Sequence, residues 1–155
     1  FGGTIVIPEN SDLISNETFA KNTFKTNNND NPVTLGYAEK IDLGTKPGLH
    51  IMKNPTNHWV ETTVGLGATG VDMILANVEN HSMQGNPMLP MIQISSCDTI
   101  SKNDIDFLID PRKNENISCM IKKIINVAER KNTTLSLSQE NFDFQVTRGM
   151  LGISL

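Results

Sequence analysis

The alternation of apolar and polar positions predicts four strands and two long helices. "GGTIVIPE" (Gly2 to Glu9) opens on two glycines and runs through β-branched Thr4, Ile5, Val6 and Ile7, which predicts a buried strand over about 3–8. "LHIMKNP" (Leu49 to Pro55) predicts a second strand over 49–53, ended by Pro55, which lacks an N–H and restricts Asn54. "VDMILANV" and "LPMIQISS" predict two more, over 71–77 and 90–95. A helix is expected over 58–68, with Asn57 as its N-cap, Glu61 in the first turn, and Trp59, Thr63, Val64 and Leu66 at helical spacing. The second helix spans 117–130, with Met120, Ile121, Ile124, Ile125 and Ala128 on one face and Lys122, Lys123, Glu129 and Arg130 largely off it. Ser11 to Phe24 has room for a short helix, and the closing "VTRGMLGISL" reads as an extended tail docked as a strand. "VTLGYAEKIDLGTKPG" reads as an irregular connection, and "KTNNNDNP" (Lys25 to Pro32) as a polar, mobile loop with little to bury.

Strands alternating with helices define an α/β fold: a mainly parallel sheet flanked by helices, Rossmann-like and three-layered. Ligands of such sheets bind beyond the carboxyl ends of the strands. In this chain those ends are Glu9 to Asp12, Asn54 to His58, Asn77 to Gly85 and Ser95 to Asp98.

"GLGATG" (Gly65 to Gly70) matches the spacing of a dinucleotide fingerprint. That motif needs a strand before it and a helix after it. Here it ends a helix and runs into a strand, so no nucleotide is expected. Gly65 and Gly67 read as close-packing positions and Gly70 as the left-handed residue that stops the helix.

At 155 residues the chain reads as one domain, large enough for a real core. The net charge of −4, without a Lys/Arg run, argues against nucleic-acid binding. No apolar run is long enough for a membrane span, and no signal peptide is visible, so a cytoplasmic location is expected. The start Phe1-Gly2-Gly3, without Met, reads as a fragment, a processed product or a trimmed chain. Cys97 and Cys119 have no metal-ligand spacing and read as buried free thiols rather than a disulfide. With 18 asparagines, chance glycosylation sequons are expected, and those at Asn16, Asn116 and Asn132 carry no weight.

Of the three histidines, His50 sits inside "LHIM" and reads as a strand residue satisfied locally. His58 and His81 fall at strand ends, where a base or ligand belongs. The loop "NVENHSMQGNP" gathers Glu79, Asn80, His81, Ser82 and Gln84, either as a site or as a solvated crossover. Glu9, Asp12, Glu79, His58 and His81 are side chains that hard divalent ions accept, though their spacing does not demand a metal.

Several blocks, in order, resemble the C-terminal region of the altronate and galactarate dehydratases, a sugar-acid dehydratase family that includes the sulfolactate sulfo-lyase large subunit. "GGTIVIPE" resembles the family's G-G-T-A-x-L-x-E, and "GYAEKIDLGTKPGLHIMKNPTN" its x-Y-A-E-x-x-x-K-P-G-L-x-x-M-D-T-P-G-N. "TTVGLGATGVDMILANV" is similar to x-T-G-x-x-A-x-G-A-x-x-x-x-F-T-T, "GNPMLPMIQIS" to G-x-P-x-x-P-V-I-K-V, and "NDIDF" to D-x-I-D-F. The ending "RGMLGISL" resembles a terminal Arg-Gly-Val-Thr-Leu.

The resemblance implies a carbon–oxygen lyase: loss of water from a small hydroxy-acid, with a divalent metal (Fe, Mn or Mg) stabilising the enediolate. It makes His81 or His58 the candidate base and Glu9, Asp12 and Glu79 the candidate metal ligands. Asn54, Thr56, Asn57, Asn80 and Ser82 become the candidate substrate-binding groups.

The chain also departs from the family. The G-R-G-T-P loop stands here as Glu79-Asn80-His81-Ser82-Met83, without the arginine or either glycine. The aspartates of D-T-P-G-N-D are Lys53 and His58, and a long stretch carrying N-P-S-P-G-N is shortened to the loop near 25–32. Two other readings therefore stand beside the enzyme. One is a catalytically silent assembly or partner-binding subunit. The other is a fragment whose site is completed by a further chain, such as a small β-rich subunit or a second copy.

Overall fold

The computed structural model describes residues 3–24, 32–42, 44, 47–110, 112, 116–145, 147–148 and 153–154. Most of the shortened loop near 25–32 lies outside these residues. The chain divides into two compact units, Phe1–Val71 and Asp72–Leu155, a division its composition does not announce.

The first unit is built on a three-stranded sheet in the order β1 (Ile5–Pro8), β3 (Leu49–Met52), β2 (Val33–Leu35), parallel throughout. Ile5 pairs with Leu49 and Pro8 with Met52, so β1 and β3 end level with each other. Two short helices, α1 (Asp12–Ser15) and α2 (Glu17–Phe24), carry the chain from β1 towards β2. Ser11 caps α1 by accepting the Leu13 N–H, and Asn16 starts α2 by accepting the Phe19 N–H. Helix α3 (Trp59–Ala68) leaves the end of β3 and packs against β1. His50 and Met52 point to the same side of β3 and are fully buried.

The end of α3 answers the question posed by its glycines. The Thr69 N–H closes the last turn on Gly65 and Leu66 carbonyls, and Gly70 takes φ +95°. A Cβ on Gly65 would collide with Cε2 of Tyr37, so the aromatic ring rests directly on the helix backbone. Gly65 and Gly70 thus serve packing and helix termination, as the order helix-then-strand predicts.

The second unit repeats the parallel plan with β4 (Ile74–Asn77), β5 (Met91–Ser95) and β6 (Phe107–Leu108) in sequential order. The four strands read from the sequence are therefore parallel, but shared between two sheets rather than joined in one. Central β5 is buried at every position, as a strand covered on both faces requires. Helix α4 (Asn116–Ala128) covers one face, where Val127, Met120 and Ile124 meet Ile92 and Ile94. Its apolar arc is wider than this contact. Ile121 and Ile125, expected on the core face, are half exposed, as is Ile117. After α5 (Leu135–Ser138), the tail forms a small antiparallel pair of β7 (Thr147–Arg148) with β8 (Ile153–Ser154).

Two groups pin the connections in this unit. Asp106 places a side chain with no exposure between elements: its carboxylate accepts the Gln93 N–H at 3.0 Å and the Leu135 N–H at 3.0 Å, and Lys123 Nζ lies 3.4 Å away. Gly85 bridges to Phe142 and lies against Ser136, whose Oγ would be 2.6 Å from an added Cβ. Gly85→Ala should lower the melting temperature through a clash worth about 1–3 kcal/mol, and Ser136→Gly should restore most of it. A variant as stable as the parent would refute this packing role.

Among the described residues, no helix is long and apolar enough to cross a membrane.

Candidate functional site

The level ends of β1 and β3 bring several expected site residues of the first unit into one hydrogen-bonded cluster. Glu9 Oε1 accepts the backbone N–H of Asn54 at 2.9 Å, which ties the two strand ends together. Asn10 Nδ2 donates to the Thr56 carbonyl and to Asn57 Oδ1, at 3.0 and 2.9 Å. Asn54 Nδ2 donates in turn to Asn10 Oδ1 at 2.8 Å and to Thr62 Oγ1, in α3, at 2.9 Å. Thr56 Oγ1 donates to Glu61 Oε2 at 2.6 Å and accepts the His58 N–H at 3.0 Å. Tyr37 completes the surround, its hydroxyl donating to the Glu61 carbonyl at 2.8 Å.

Among the described residues, one atom of this cluster lacks a hydrogen-bond partner. Asn54 is 7% exposed, and its Oδ1 is buried without a hydrogen-bond donor. The amide cannot be turned to cure this. Its Nδ2 already faces two acceptors, because the Thr62 hydroxyl donates to the His58 carbonyl. A buried acceptor left unpaired costs on the order of 1–3 kcal/mol.

The expected N-cap of α3 and the expected surroundings of His50 need correction here. The N-cap of α3 is His58, one residue later than expected, and its side chain makes no capping bond. The amide of Asn57 is engaged by Asn10 instead. His50 is 1% exposed, and its Nδ1 has no hydrogen-bond partner among the described residues, so it is not satisfied locally. Asp12 begins α1, its side chain exposed and outside the cluster. The His58 imidazole is exposed, and only its backbone joins the network.

The remaining candidates belong to the second unit, in the loop after β4. Glu79 and His81 are exposed, and Ser82 is half-buried. Glu79 contributes a carbonyl that accepts the Ser95 hydroxyl at 3.2 Å. The loop is held by Gln93 of β5, whose side-chain amide pairs both ways with the Met83 backbone, at 2.7 and 2.8 Å. Asn80 Oδ1 accepts from Cys97 Sγ at 3.6 Å, with Thr99 Oγ1 3.5 Å away. Among the described residues, neither the His58 nor the His81 imidazole is oriented by a hydrogen bond.

Sequence reasoning passed over Asn10, Glu61 and Thr62 as cluster members, and Cys97 and Thr99. Glu61 and Thr62 read as helix residues, and their inward role needs the packing of α3 on the sheet. Both cysteines are free, as expected, but neither is buried: Cys97 is half-buried and Cys119 exposed. The Thr99 hydroxyl, 2.9 Å from Sγ, and then the Thr99 backbone hold the Cys97 thiol below its ordinary pKa, against burial and the charges of Asp98 and Glu79. A lowered thiol pKa means more thiolate at neutral pH. Thr99→Val should therefore slow alkylation of Cys97 by iodoacetamide several-fold near pH 7, and the difference should shrink as pH rises past the thiol pKa. Peptide mapping by mass spectrometry reads this out, and equal rates would refute the Thr99 contact.

Among the described residues, no three His, Cys, Asp or Glu side chains are grouped to hold a metal ion. Glu9 accepts the Asn54 N–H, and Asp12 lies outside the cluster. No protein-family model matches the chain, and no curated protein matches it.

Proposed function

We propose that the chain is a sugar-acid dehydratase-type domain that binds a small hydroxy-acid at the ends of β1 and β3 and does not complete the reaction alone. The observation that carries this reading is Asn54 Oδ1, a buried acceptor without a donor among the described residues, in a cluster where open α/β sheets bind ligands. A ligand hydroxyl is a donor of the right kind for it, reaching it by displacing part of the cluster that covers the amide. The resemblance of "KNPTN" and its flanks to the family's M-D-T-P-G-N supports the same segment.

Dehydration needs a base that takes the proton next to the carboxylate and an acid that protonates the departing hydroxyl. Among the described residues, neither the His58 nor the His81 imidazole is held, and Asn80 replaces the arginine that would clamp a carboxylate. Each lost charge-assisted contact costs about 1.5–3 kcal/mol, roughly ten- to a hundredfold in rate. The binding reading rests on the Asn54 amide oxygen and carries no metal step. Those unheld imidazoles also favour a second reading, a catalytically silent assembly subunit of the same fold.

Titration of the labelled protein with galactarate, followed by amide NMR, separates the two. Shifts should cluster at Glu9, Asn10, Asn54, Thr56, Asn57 and Thr62. Succinate, a dicarboxylate without hydroxyls, should bind about tenfold more weakly, the equivalent of one hydrogen bond. No product should form from altronate, galactarate or sulfolactate, with or without Mn(II) or Mg(II). Absence of any shift would favour the silent subunit. Equal binding of succinate would remove the role of Asn54, and steady turnover abolished by His81→Ala would show the chain to be complete.

A further inference from the structure

We draw no further inference here: the strongest candidate, the exposed stripe of Ile117, Ile121 and Ile125 along α4, is an unpartnered apolar face, and nothing in the structure shows what covers it.

Discussion

Asp106→Ala should destabilise the Asp72–Leu155 unit by about 4 kcal/mol, measured as a shift of its urea unfolding transition in far-UV circular dichroism. The carboxylate has no exposure and serves three donors: the N–H groups of Gln93 and Leu135 and the ammonium of Lys123. Alanine leaves two backbone donors without acceptors, each costing about 1–3 kcal/mol, and removes the partner of Lys123. Gln93 is the residue whose amide holds Met83, so the loss should spread to the loop after β4. Asp106→Asn keeps one carbonyl oxygen but turns an amide donor towards an N–H, and should cost about half as much. Lys123→Met should cost less than Asp106→Ala, because the buried carboxylate it leaves behind keeps the N–H groups of Gln93 and Leu135. A loss below about 1 kcal/mol for Asp106→Ala would show that the donors find other partners.

Gly65→Ala should destabilise the Phe1–Val71 unit by about 2 kcal/mol, although alanine is the better helix former. The added methyl would collide with Cε2 of Tyr37 and sit 2.9 Å from its Cζ. The ring must move, at an overpacking cost of about 1–3 kcal/mol, and with it goes the hydroxyl's bond to the Glu61 carbonyl. That bond contributes about 1 kcal/mol, which roughly offsets the helix propensity gained. In a Tyr37→Ala background the clash is gone, so the sign should reverse and Gly65→Ala should stabilise by up to about 1 kcal/mol. Denaturation of the four proteins in this cycle gives the coupling directly, and additive effects would refute the close approach.

What the sequence made legible follows from how locally each feature is encoded. The strands β1, β3, β4 and β5 and the helices α3 and α4 each carry their own apolar pattern within one element. Strands β2 and β6, of three and two residues, are too short for any period, and exist because a longer neighbour pairs with them. The division of the strands into two sheets is likewise a property of pairing. Gly70 was readable because only a left-handed residue ends that helix and starts a strand at once. Asp106 shows the opposite case. "NDIDF" marks it only by resemblance, while its three partners come from β5, α4 and the start of α5. At the candidate site, Asn54, Thr56 and Asn57 were identifiable from their position after a strand. The missing donor to Asn54 Oδ1 emerges only once α3 has closed over it.

The resting place of the Tyr37 ring also has an optical consequence. The chain has one Trp and one Tyr, and both Trp59 and Tyr37 belong to the Phe1–Val71 unit, leaving phenylalanine as the sole aromatic of the other. Intrinsic fluorescence excited at either chromophore therefore watches one half of the molecule while the other half stays dark. Melting curves recorded by emission and by ellipticity superimpose only if the two halves unfold in concert. Any gap between their midpoints measures, without a label, how far each half stands on its own.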